Sequence, residues 1–122
     1  MPISYEVDES QNIVYAAVTG TVHAEDFLDY VNRFHADARI KPGYRELVDA
    51  RGATPGDITP ALFDKIIEID RARPEMLPGA RTAIVVPSIE GFDLARQYEK
   101  KAQMTVIVFT SLDVAKTWLG MV

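Results

Sequence analysis

The sequence predicts an α/β fold, with a mixed, mainly parallel five-stranded sheet and elements in the order ββαβαβαβα. Three observations lead to it. The apolar period switches repeatedly between two residues and about 3.6 along the chain. Two late segments, Thr82-Ala83-Ile84-Val85-Val86 and Thr105-Val106-Ile107-Val108-Phe109, are almost wholly apolar, as expected of strands covered on both faces. Single helical segments separate the later strands, which calls for right-handed crossovers and parallel pairing.

Each element has its own local reason. Ser4-Tyr5-Glu6-Val7-Asp8 alternates polar and apolar residues, the pattern of a strand with one wet face near a sheet edge. Glu9-Ser10-Gln11-Asn12 reads as a hairpin turn, and Ile13–Val18 as a second strand, antiparallel to the first. Beyond Thr19-Gly20-Thr21 the period becomes helical, with Phe27, Val31 and Phe34 on one face beside Ala24 and Leu28. Asp26 falls in the first turn, at the positive end of the helix dipole. Lys41-Pro42-Gly43 breaks the chain before a short third strand, Arg45-Glu46-Leu47-Val48-Asp49.

Thr59 is the expected N-cap of the second helix and Pro60 its first residue. Leu62, Phe63, Ile66, Ile67 and Ile69 make its apolar stripe, and Pro74 ends it. Pro87 closes the fourth strand. Ser88 then caps a third helix carrying Phe92, Ala95, Tyr98 and Ala102. After the fifth strand, Thr110-x-x-Asp113 has the pattern of a capping box opening a last helix with Leu112, Ala115 and Leu119. Ile84, Val85, Val106, Ile107 and Val108 are expected to be buried, so that Ile107→Ala would cost about 2–5 kcal/mol.

Composition narrows the function classes. The 122 residues suggest one domain spanning 1–122, and 48% hydrophobic with 25% charged residues is globular composition. The absence of cysteine excludes disulfide scaffolds, thiolate metal sites and thiol nucleophiles. Thirteen basic against eighteen acidic residues, a net charge of −5, argues against general affinity for nucleic acid or anionic membrane. No run of about 18 apolar residues predicts stable membrane insertion, and the start shows no leader pattern. The expected compartment is the cytoplasm. A homo-oligomer stays open.

Several segments together resemble a known family. They are Val18-Thr19-Gly20-Thr21-Val22 after the hairpin, Asp26 in the first helix, and Leu47-Val48-Asp49 before a turn. To these add Ala83-Ile84-Val85-Val86, Ala95-Arg96-x-Tyr98-Glu99, and Val108-Phe109-x-Ser111-Leu112-x-x-Ala115-x-x-Trp118-Leu119. In order and spacing the chain resembles the SpoIIAA-like bacterial proteins, which are related in fold to the STAS anti-anti-sigma factors and to CRAL-TRIO lipid-transfer domains. The resemblance implies a (βα) superhelical fold and a regulatory, protein-binding role. It also places Thr59 near the hydroxyl that STAS regulators phosphorylate. Where those regulators carry an Asp-Ser-Ser-Gly-type motif, this chain reads Asp57-Ile58-Thr59-Pro60, a hydroxyl without the Ser-Gly partners. It also lacks spare segments from which a lipid carrier would build a lid.

Ligands of open α/β sheets bind beyond the carboxyl ends of the parallel strands. The residues expected there are Thr21 and His23 after the second strand, Asp49 and Arg51 after the third, Ser88 after the fourth, and Thr110 and Ser111 after the fifth. Helix N-termini at the same edge favour an anion. Ser88 and Ser111 are read first as N-caps, and Asp49 with Arg51 as the most site-like pair. His23 is read as a solvent-facing residue near a cap, since a metal centre needs further ligands. His35 suits the C-terminal end of the first helix. Arg96, matched by the family pattern, could clamp an anion or simply bond a carboxylate. Trp118 and Tyr98 are read as core residues.

No P-loop, nucleophile elbow, dinucleotide turn or HExxH motif is present, and no cofactor or metal is expected. The sequence therefore points to a regulatory or protein-interaction module without catalysis. The rival reading is a small-anion or small-molecule binding protein, or an enzyme, using the strand-end edge. A concave pocket where Thr21, His23, Asp49, Arg51 and Ser88 converge would favour the rival.

Overall fold

The computed structural model describes residues 2–121, with Met1 and Val122 outside them. Along the chain run β1 (Ile3–Asp8), β2 (Ile13–Val22), α1 (Ala24–Ala36), β3 (Arg45–Pro55), α2 (Pro60–Arg71), β4 (Arg81–Val85), α3 (Ile89–Lys101), β5 (Thr105–Phe109) and α4 (Leu112–Leu119). A single 3-10 turn at Pro74–Met76 leads into β4. The strands lie in sequence order, β1-β2-β3-β4-β5. The first pair is antiparallel and the other three pairs are parallel, as the element order predicts.

Strand alternation sorts the side chains into two layers. Val14, Ala16, Val18 and Val48 face α1, with its buried Tyr30 and Phe34. Leu47, Ala83 and Val85 face the other way, against Ala115 and Leu119 of α4. The three crossover helices share one face, α1 packing on α2 and α2 on α3. The short α4 covers the opposite face alone.

Local chemistry ends α4. Gly120 adopts a left-handed φ of 72°, and its N–H and that of Met121 return to the carbonyls of Thr117 and Lys116. Arg45 donates to the carbonyl of Leu119 at 2.8 Å and Arg81 to that of Trp118 at 3.1 Å. The last carbonyls of the helix thus bond to the strands beneath it. At the far edge of the sheet, the N–H of Val108 in β5 donates to the Glu99 carboxylate of α3 at 3.3 Å.

Three expectations need correction. β2 and β3 do not stop at Val18 and Asp49. After an irregularity between Ala17 and Thr19 they run on as a two-stranded ribbon, with Thr19 opposite Gly52 and Val22 opposite Pro55. The apolar pattern ends where the sheet layers end, but backbone pairing does not need it. Second, Val85, Val106 and Val108 are buried, whereas Ile84 and Ile107 are only partly so. Ile84 borders a cavity. Ile107 shares the α4 face with Ala83, on an edge strand that an eight-residue helix covers incompletely. Third, the N-cap of α4 is Ser111, not Thr110, and its Oγ accepts the Val114 N–H at 3.3 Å.

The packing of α4 makes a direct comparison available. Leu119 is fully buried, so Leu119→Ala is expected to cost about 2–5 kcal/mol. Ile107→Ala, at a partly exposed site, is expected to cost less. Urea unfolding of the two variants measures the order, and equal losses would contradict the layer assignment.

Candidate functional site

The strand-end edge is exposed and spread out. Thr21 lies inside the β2–β3 ribbon opposite Thr54, not beyond the end of a strand. His23 is the N-cap of α1, and its backbone N–H donates to the Asp26 carboxylate at 2.8 Å. Its ring Nδ1 lies 3.2 Å from Oδ1 of Asp57 in the β3–α2 loop. The same oxygen accepts the Ala24 N–H at 2.8 Å. Asp57 therefore caps a helix other than the one it precedes. The Ala24 N–H, with help from His23, holds its carboxyl below the usual range. The loop passes so close that a Cβ on Gly56 would meet the Val22 carbonyl oxygen at 2.9 Å, so glycine is required there for close approach.

Asp49 and Arg51 also lie within β3 and not at its end. They form a bidentate pair, with Nε and Nη2 each 2.9 Å from a carboxylate oxygen. Arg51 holds the Asp49 carboxyl below its usual range. The pair belongs to the α4 side of the sheet, where the Tyr15 hydroxyl reaches Asp49 at 3.5 Å. Arg96 is exposed, 3.6 Å from Glu99 and over the ring of Phe92. Ser88 caps α3 by accepting the Gly91 N–H at 3.4 Å, and Ser111 caps α4. These residues do not converge on a common pocket.

A cavity of about 310 Å³ lies elsewhere, between the sheet and α1, α2 and α3. Of the residues expected at the strand-end edge, it includes only Ser88, at its mouth beside Thr54 and Pro55. Its walls are apolar, among them Phe27, Val31, Leu62, Phe63, Ile66, Ile84 and Leu94. Its far end is polar and holds Tyr30, His35, Tyr44, Glu46, Asp70, Thr82 and Tyr98.

At that end Glu46 accepts from the Tyr30 hydroxyl at 2.5 Å and from Thr82 Oγ1 at 2.8 Å. Burial pushes its carboxyl above the ordinary value, and those two hydrogen bonds oppose the rise. Glu46 is partly buried and lines the cavity. His35 Nε2 lies 2.8 Å from Asp70 Oδ1, their side chains 8% and 14% exposed. His35 Nδ1 has no hydrogen-bond partner.

Several solved structures resemble this architecture, among them two that overlap it almost end to end. One is an uncharacterised protein of the DUF3478 family with a SpoIIAA-like fold, from Shewanella loihica PV-4. It superimposes with a TM-score of 0.66 at 16% identity, over 96% of this chain and 93% of its own. This chain has the SpoIIAA-like fold. The other is an anti-sigma factor antagonist from Mycobacterium paratuberculosis, with a TM-score of 0.57 at 16% identity over 97% and 94% of the two chains. No protein-family model and no curated protein matches the sequence.

In this SpoIIAA-like fold Thr59 does occupy the N-cap of α2, with Pro60 first in the helix, but its side chain makes no capping bond. The reason is local. The Leu62 N–H, one of the two amides a cap would take, donates to the Thr59 carbonyl instead, at 3.0 Å. The expectation that Thr59→Ala costs about 0.5–2 kcal/mol is therefore revised. The exposed hydroxyl should contribute less than about 0.5 kcal/mol, a difference that chemical denaturation can resolve.

The polar end of the cavity escaped the sequence reading altogether. Glu46 sits in an apolar strand and Tyr30 on the helix face that packs inward. That coincidence was the available signal: a carboxylate amid Tyr44, Leu47 and Val48 needs hydroxyl partners.

Glu46 also gives the protein a pH signature. A carboxyl whose folded pKa is raised binds more protons folded than unfolded, so its contribution to stability declines as pH rises through the range between its ordinary 4.5 and the raised value. Glu46→Gln removes this decline. The variant is expected to gain in thermal stability relative to the parent as pH increases from about 4 to about 8. Parallel melting curves across pH would refute this by showing no change in the difference.

Proposed function

We propose that this chain acts, as one domain, as a small non-catalytic regulatory module of the cytoplasm that docks a protein partner along its strand-end edge. The observation that carries the reading is the dispersal of the edge's polar groups. Asp49 is committed to Arg51, His23 to Asp57, and Ser88 and Ser111 to helix caps. An enzyme would need such groups brought together around a reacting atom. An exposed rim built from Thr21, His23, Asp57 and Thr59 suits a partner's surface instead. The SpoIIAA-like fold, which an anti-sigma factor antagonist shares, supports the regulatory part of the reading by analogy of fold. Among the described residues no helix is long and apolar enough to cross a membrane.

The test is tagged purification from the native host, repeated with edge variants. Thr21→Arg and Thr59→Arg introduce bulk and charge at exposed positions whose side chains hold no structural bond, and each is expected to weaken partner capture by about tenfold or more. Val114, 55% exposed on α4, supplies the control, since Val114→Ser should leave capture intact. A partner retained by both edge variants, or lost with Val114→Ser, would move the interface to the other face. Intact-mass spectra of the same host-derived protein are expected to show no phosphate on Thr59.

A further inference from the structure

We propose that the cavity between the sheet and α1–α3 is a binding site for a small apolar amine, its ammonium group seated against Glu46 and its hydrocarbon body among the apolar walls. This site lies inside the helix layer and opens beside the docking edge, and neither reading depends on the other.

Size sets the first limit. A void of about 150 Å³ accommodates benzene, so about 310 Å³ suits a body of roughly ten to fifteen non-hydrogen atoms, at the small end of ordinary ligand pockets. A two-chain lipid is several times too large. The mouth at Thr54, Pro55 and Ser88 reaches the exposed edge, which supplies an entry path.

Chemistry sets the second. The polar end holds more acceptors than donors. Each Glu46 oxygen already receives one hydroxyl, from Tyr30 or Thr82, and keeps a second lone pair. His35 lines the same end, with its Nε2 against Asp70 and its Nδ1 unpaired. That nitrogen lies on a side chain only 8% exposed. Buried polar atoms are rarely left so, and each exception asks for an explanation. A primary ammonium carries three donors and the charge opposite to that of Glu46 and Asp70. The rings of Tyr30, Tyr44 and Tyr98 around it are suited to a cation. A carboxylate head would bring like charge to the same end and leave the acceptors unpaired.

Calorimetric titration of the full chain with n-octylammonium, 1-octanol and octanoate separates the alternatives, because the three share one hydrocarbon body. Octylammonium is expected to bind about tenfold or more tightly than octanoate, one charge-assisted hydrogen bond being worth at least that ratio. Glu46→Gln should remove most of the preference. Ala95→Phe, which adds bulk to the cavity from α3 and leaves the Glu46 side chain unchanged, should abolish binding of the alkyl probes. If Glu46→Gln fails to fold, the parent's discrimination among probes and the Ala95→Phe result still decide. Octanoate binding as tightly as octylammonium, binding that survives Ala95→Phe, or no heat with octylammonium would each overturn the proposal.

Discussion

The parallel pairing of β2 with β3 is the interaction on which the rest of this molecule depends. It places Glu46 opposite Val14 and Val48 opposite Ala16, in the middle of the sheet and under α1. It also runs past the sheet's other strands, so that the loop after β3 leaves from beside the start of α1. That overlap lets Asp57 reach the N–H of Ala24 and the ring of His23. Shortening the ribbon would leave the first turn of α1 without its remote cap. The same ladder carries Leu47 and Asp49 on its other face, against α4 and Tyr15.

The helix layer above this ladder is incompletely closed. Three crossover helices on one face of a five-stranded sheet must satisfy helix–helix and helix–strand packing at once, and small residues such as Ala50, Ala53 and Ala95 line the gap that results. A carboxylate buried at the end of that gap is costly unless it is hydrogen-bonded. Tyr30 and Thr82 supply the bonds, and Glu46 lines the space. The polar residues most distinctive of this chain are therefore inside the helix layer, away from the edge where ligands of open sheets usually bind.

The element order was legible because periodicity is set by which faces are covered, and prolines and glycines punctuate it clearly. The lengths of β2 and β3 were not, because Thr19-Gly20-Thr21 and Arg51-Gly52-Ala53 pair through backbone groups that leave no hydropathy pattern. Ser88 could be read as a cap from spacing, whereas the Thr110-x-x-Asp113 spacing pointed one residue before the true cap, Ser111. Thr59 has the same residue preference yet makes no cap bond, since its own carbonyl takes the Leu62 amide. Asp57 capping α1 and Glu46 meeting Tyr30 are contacts between residues 33 and 16 positions apart. Such meetings are set by topology, and single-chain spacing carries no trace of them.

The bond from Val108 to Glu99 bears on how copies of this chain can meet. A strand at the rim of a sheet normally leaves a row of amides and carbonyls on which another chain can continue the ladder. Here a carboxylate from α3 occupies one of those amides, on a strand only five residues long. A neighbouring strand would have to displace Glu99 and then find a short template. The sheet is thus terminated chemically on that side, and self-association through fibril-like growth from β5 is disfavoured even when the protein is concentrated.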